Sequence, residues 1–210
     1  FHYYTCQVNG TTVVNPDAPA GYGGFQVVNF LEMPEEDFEE YRLSQVPHGT
    51  VHMQYYKSER TGRWKLCYVY TPPKYDENPE KRYPVLYMFD GHNVFFDEDA
   101  TYGKCWGMKE YMDLTDTQLI IAAVECNHSP NNGRLEEYSP FTFHNVKLGN
   151  ITGRGQITMN WMIHTFKPYI DANYRTIPNR KHTFIAGSSM GGLMSLYAVL
   201  EYNRTFSRAA

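Results

Sequence analysis

The chain has 210 residues, 42% of them hydrophobic and 20% charged, with a formal net charge of −4 and a pI near 6.1. This is the balance of an ordinary globular protein, long enough for one large domain or for one domain plus part of another. No basic cluster points to nucleic acid or to an anionic membrane, and no apolar run approaches the ~20 residues of a membrane span. Aromatic residues are abundant at 16%, led by 18 tyrosines, which fits aromatic or carbohydrate ligands but serves packing first.

In chain order, residues 1–31 read as β structure. An Asn9-Gly10 pair offers a hairpin turn, Asn15-Pro16 breaks the pattern, and a further strand follows the glycines at 21–24. This stretch is expected to be the end of a small β-sandwich. Residues 32–45 are acidic and irregular and read as a linker. A second unit, residues 46–210, opens with two antiparallel strands at 50–57 and 63–70, joined by a turn at 58–62.

Beyond that pair the pattern changes. Residues 83–89, 119–124 and 183–186 are nearly continuous apolar runs, which means strands buried on both faces and hence a parallel sheet. Helical patterns lie at 107–113, 156–173 and 193–202. The long one carries Ile157, Trp161, Phe166 and Ile170 on one side. Alternating strands and helices give an α/β sheet with right-handed crossovers and a ligand site at the carboxyl ends of its strands. Asp90-Gly91-His92, the loop 125–134 and Ser189 all fall at such ends.

The motif that carries chemistry is Gly187-Ser188-Ser189-Met190-Gly191, a G-x-S-x-G between an apolar strand and a helix. That context defines a nucleophile elbow, in which a serine hydroxyl is presented on a strained strand-to-helix turn. Gly187 and Gly191 remove side chains that would collide there. The Met190 N–H opens the next helix and can hold the oxyanion of an attacked ester carbonyl. The loop after the first parallel strand supplies the second donor in such a layout, assigned to the His92 backbone with Asn93 next.

Other polar residues read more simply. Arg134 and Glu137 are expected to pair and fix their loop. His164 reads as a helix histidine, and no spacing ties His128 or His144 to the site. Cys6, Cys67, Cys105 and Cys126 lack metal-type spacing, Cys126 reads as a packed thiol, and no metal or cofactor is expected. The sequons at Asn9, Asn127, Asn150 and Asn203 read as chance matches.

A triad in this fold runs Ser, then Asp or Glu, then His. Only 21 residues follow Ser189, the only acid among them is Glu201, and all eight histidines lie upstream. Glu201 stands about 18 Å along the helix at 1.5 Å per residue. The chain is therefore expected to be cut at both ends and to lack its acid and base.

Residues 83–91, 134–140, 166–171 and 186–192 together resemble the Putative esterase family of α/β-hydrolases. That family takes in esterase D, carbohydrate esterase family one with its feruloyl and acetylxylan esterases, enterochelin esterases and mycolyltransferases. The resemblance spans about residues 46–210 and implies an α/β-hydrolase fold, lacking its last strands here. It makes Ser189 the nucleophile and Met190 and the His92 loop the oxyanion donors, with the acid and histidine beyond residue 210. Residues 3–10, 15–16 and 46–50 resemble, more weakly, the end and junction of an immunoglobulin-like early-set module. The expected function is a serine carboxylic-ester hydrolase acting on an acylated carbohydrate or a related small ester. An acyltransferase on the same elbow and a non-catalytic carbohydrate-binding protein remain open.

Overall fold

The computed structural model describes residues 2–23, 26–31, 42–57, 62, 64–130 and 132–210. Most of the expected 32–45 linker and of the 58–62 turn lies outside them. Near the start are five short strands: β1 (His2–Tyr4), β2 (Cys6–Val8), β3 (Thr11–Val13), β4 (Ala20–Gly23) and β5 (Gln26–Leu31). β1, β5 and β4 form one antiparallel sheet, and β2 and β3 form a hairpin. Asn9 and Gly10 turn that hairpin with φ of 52° and 77°, the positive values a two-residue hairpin turn demands. Asn29 is buried and satisfied: its Oδ1 accepts the Asn15 N–H (2.7 Å) and its Nδ2 donates to the Asn15 carbonyl (2.9 Å).

The main sheet has six strands. An antiparallel pair, β6 (Thr50–Lys57) and β7 (Trp64–Thr71), forms one edge. β8 (Val85–Met88), β9 (Ile120–Val124), β12 (Thr183–Ala186) and β13 (Arg208–Ala209) make up the rest, in the order β13-β12-β8-β9-β7-β6. β9 is antiparallel to β7, whereas β8–β9, β8–β12 and β12–β13 are parallel. β9 is Ile-Ile-Ala-Ala-Val and every residue is buried, as a strand covered on both faces requires. The remaining strands, β10 (Phe143–Asn145) and β11 (Gly149–Ile151), form a separate hairpin.

The α-helices that accompany these strands among the described residues include α1 (Met108–Thr115), α2 (Gly133–Glu137), α3 (Gly155–Trp161), α4 (Lys167–Asn173) and α5 (Met190–Glu201). Because side chains alternate across a strand, the sheet feeds two cores. One joins Cys67, Val69, Val85, Tyr87 and Ala122 to Met159, Met162, Phe166 and Ile170, and to Met194 and Ala198 of α5. The other joins Tyr68, Tyr70, Met88, Ile121 and Ala123 to Val94, Phe95 and Met112.

The helix expected over 156–173 has two departures. A π turn, Met162–Phe166, interrupts it, with the Lys167 N–H bonding the Met162 carbonyl. Pro168 follows, and a proline has no N–H for the carbonyl four residues back and crowds it, so the helix widens just ahead of it. Ile157 is 37% exposed, while Met159, Trp161, Met162, Phe166 and Ile170 fill the core.

Chain order also locates the site. From β8 the chain passes to β9 on one side, then crosses to β12 on the other. Such a reversal opens a crevice at the carboxyl ends of the strands.

Candidate active site

Three loops meet the carboxyl end of the sheet, one each from β12, β8 and β9. The β12 exit is the tightest. Ser189 stands between β12 and α5 with φ 56° and ψ −115°, a strained conformation for an L-residue that costs about 1–3 kcal/mol. The surrounding glycines allow it. A Cβ on Gly187 would lie 2.6 Å from the Gly191 carbonyl carbon, and one on Gly191 would lie 3.1 Å from Phe89 Cβ. The Gly191 N–H donates to the Ser188 carbonyl (2.8 Å) and the Leu193 N–H to the Ser189 carbonyl (3.0 Å). The Ser189 side chain is exposed. Met190 opens α5, so its N–H has no acceptor within the helix and points out of the positive end of the helix dipole.

The β8 exit is bound to the elbow, since the Phe89 N–H donates to the Ala186 carbonyl of β12 (3.0 Å). Asp90 takes φ 57° and leads into a 3₁₀ turn, Gly91–Asn93. Gly91 crosses so close to β9 that a Cβ would lie 2.9 Å from the Val124 backbone. Within the turn the Asn93 N–H already donates to the Asp90 carbonyl (2.8 Å). The His92 N–H, at the start of the turn, has no acceptor within it.

The His92 ring is buried. Its Nε2 lies 3.1 Å from Thr101 Oγ1, and its Nδ1 is buried without a partner. Burial first, then the neighbouring His128, pushes the imidazole down to about 4, so it is neutral at neutral pH. Thr101 is held in turn, its N–H donating to Asn93 Oδ1 (2.8 Å). The small N-terminal sheet packs on the next two residues: a Cβ on Gly21 would meet the Tyr102 backbone at 2.7 Å, and one on Gly103 the Phe30 ring at 3.1 Å.

A salt bridge staples the two exits together. Arg134 grips Asp90 with both prongs, Nε to Oδ1 and Nη2 to Oδ2, each at 2.7 Å. Nη2 also lies 3.3 Å from the Ser188 carbonyl oxygen. The Asp90 N–H donates to Tyr138 Oη (3.1 Å), and the guanidinium lies over the Tyr138 ring at 5.3 Å. The hydrogen bonds to Asp90 hold the guanidinium above its ordinary pKa despite burial.

The expected Arg134–Glu137 pair is therefore corrected. Glu137 meets Lys65 at 2.5 Å and accepts the Asn127 N–H at 2.6 Å. The Asp90 side chain is only 1% exposed, and a fully buried carboxylate needs its cation more than Glu137, which is 12% exposed and already paired with Lys65. Asp90, Tyr138, Thr101 and the Ser188 carbonyl were not singled out from the sequence as site residues. The one signal was an aspartate closing an apolar strand.

The β9 exit brings Cys126 and His128 beside His92. The two imidazoles meet edge to face with centroids 4.7 Å apart, and Cys126 Sγ lies 3.9 Å from His128 Nδ1. Burial pushes the Cys126 thiol well up. A cleft of about 870 Å³, lined by Cys126, His128, Arg154, Ile157 and Trp161 among others, extends from this exit. His144 lies on the β10–β11 hairpin, bound to Asn150, and His164 is exposed in the π turn. Among the described residues no histidine hydrogen-bonds the Ser189 hydroxyl. Glu201 closes α5, a helix length from the elbow.

A mostly parallel sheet flanked by helices, with a serine on a strained turn between strand and helix, defines the α/β-hydrolase fold. The comparisons agree. The family described as "Putative esterase" matches residues 58–210, and the chain belongs to it. An endo-1,4-beta-xylanase/feruloyl esterase of Xylanibacter ruminicola is 24% identical over 202 residues, 92% of this chain and 26% of that protein. The enterochelin esterase of Shigella flexneri superposes with a TM-score of 0.63 at 19% identity, over 94% of this chain and 45% of that one. A ferulic acid esterase of Anaeromyces mucronatus gives 0.52 at 19% identity, over 84% and 60%. The chain spans about a quarter to a half of the curated relatives it matches, 26% and 52% of their lengths.

Proposed function

We propose that this chain carries the nucleophile and oxyanion donors of a serine carboxylic-ester hydrolase. The observation that carries the reading is Ser189, exposed at φ 56° directly before the first N–H of α5. In this reading Ser189 Oγ attacks the ester carbonyl carbon and its proton passes to a histidine base. The tetrahedral oxyanion accepts hydrogen bonds from the Met190 and His92 amides. The C–O bond then breaks, the alcohol leaves with the proton, and water cleaves the acyl-serine. No described histidine bonds Ser189, so the reading does not assign the base to any of them.

The substrate class proposed is an acylated carbohydrate or a related small ester. It is supported by relatives named for feruloyl and enterochelin ester cleavage. We read residues 1–31 as the end of an early-set module, 32–45 as its linker and 46–210 as hydrolase. The separation of the sheet β1-β5-β4 from the six-stranded sheet supports that division.

The test is p-nitrophenyl ester cleavage by the protein expressed from its natural reading frame. Ser189→Ala should lower kcat by about 10³-fold or more, leaving the residual that an oxyanion hole alone supplies. Unchanged turnover would refute the assignment.

A further inference from the structure

We propose that His92, Cys126 and His128 form a binding site for one divalent cation of the zinc class. Each offers a ligand atom, and these atoms all lie within 4.8 Å of one another. Two imidazoles and a thiolate are the donors that borderline-soft cations select, in preference to magnesium or calcium.

Four features of the fold support the site. His92 Nδ1 is buried and unpartnered, an orphan that a cation would satisfy. Its other nitrogen meets Thr101 Oγ1 at 3.1 Å, the outer hydrogen bond that orients a ligating histidine. His128 presents Nδ1 to Cys126 Sγ at 3.9 Å and Nε2 to Glu125 Oε2 at 3.7 Å. A carboxylate behind the distal nitrogen is the usual support of a histidine ligand. Finally, the three residues leave adjacent paired strands, and the close crossing of Gly91 over Val124 fixes their spacing.

Zinc–nitrogen and zinc–sulfur bonds of about 2.0–2.1 and 2.3 Å place tetrahedral ligands roughly 3.3–3.7 Å apart. The cluster therefore closes by about 1–1.5 Å at most, and His128, its exposed member, has room to move. His128 lies at the surface, so the fourth position faces solvent. On binding, one Cys126 S–H bond breaks, its proton goes to buffer, two nitrogen bonds and one sulfur bond to the cation form, and no electron is transferred. The cation would be held by the His92 ring whereas the esterase reading uses the His92 backbone N–H and Ser189, so a failed cobalt titration and a failed ester-cleavage assay are distinguishable.

The experiment is a Co²⁺ titration of chelator-stripped protein under a phosphine reductant, followed by absorption. The expected result is one equivalent with a near-ultraviolet thiolate-to-cobalt band and tetrahedral d–d bands, both displaced by Zn²⁺. Cys126→Ser should abolish the thiolate band. His128→Ala, a surface change that leaves the fold intact, should weaken binding at least about tenfold, since even outer-shell losses reach 10–100-fold. Absence of the thiolate band in the wild type would overturn the site. So would a band and affinity that survive His128→Ala.

Discussion

The exits of β12 and β8 lie side by side and carry the two proposed oxyanion amides, yet they are built in opposite ways. The elbow at Ser189 is fixed by its own sequence: two glycines in van der Waals contact and backbone bonds from Gly191 and Leu193. The β8 exit is fixed from outside, by Arg134 and Tyr138 on Asp90 and by Thr101 on His92. Strain that is local can be held by a handful of adjacent residues. A loop that must place a single amide beside a neighbouring strand needs partners from elsewhere. The Arg134 side chain hydrogen-bonds both exits, through Asp90 and the Ser188 carbonyl.

The largest effect should follow removal of that shared residue. Arg134→Ala leaves Asp90 buried and unpaired and should destabilise by about 3–5 kcal/mol, read by urea unfolding. Arg134→Lys keeps the charge but not the fork, and should recover part of the stability. A loss below about 1 kcal/mol for Arg134→Ala would remove the staple from the account. Gly187→Ala comes next, at about 3 kcal/mol, because its methyl meets backbone that has nowhere to go. Its damage should centre on the elbow, so ester cleavage should collapse even in conditions where the fold survives.

Thr101→Val should be milder, about 1–2 kcal/mol for one lost partner of a buried ring. Its effect belongs to the His92 loop: kcat should fall while fluorophosphonate labelling of Ser189 persists. Equal loss of both would show that the exits are one unit.

The smallest effect is a pH dependence at the other end of the sheet. Asp113 is buried, which alone would raise its pKa, but Lys109, the Gly49 N–H, His48 and Tyr70 together hold it below the ordinary value. A lowered carboxylate contributes stability above its unfolded value of about 3.9. That contribution is lost as pH falls from there through the folded value. Stability against urea should therefore decline below about pH 4, and Asp113→Asn should flatten that decline. An unchanged slope would show that other carboxylates dominate.

The same contrast explains what could be read in the sequence. The elbow was legible because Gly187, Ser189 and Gly191 lie within five residues and the tightest contact, Gly187 on Gly191, is between two of them. The sheet was legible because apolar runs such as residues 119–124 state burial on both faces. Its boundaries shifted by one or two residues where Tyr83 and Phe89 fall outside β8. Arg134 was misread because Glu137 is its neighbour in sequence, whereas Asp90 lies 44 positions away. The helical period read through Pro168 and missed the π turn, since side-chain spacing does not report a single widened carbonyl register. Cys126 and His128 stand two apart, but their third partner arrives only when β8 and β9 pair.

The most direct test of the central claim is covalent labelling of the protein, expressed from its natural reading frame, with a fluorophosphonate probe, followed by peptide mapping. The account predicts one adduct, on Ser189, lost in Ser189→Ala and retained in Ser188→Ala. No adduct, or an adduct on another residue, would contradict it.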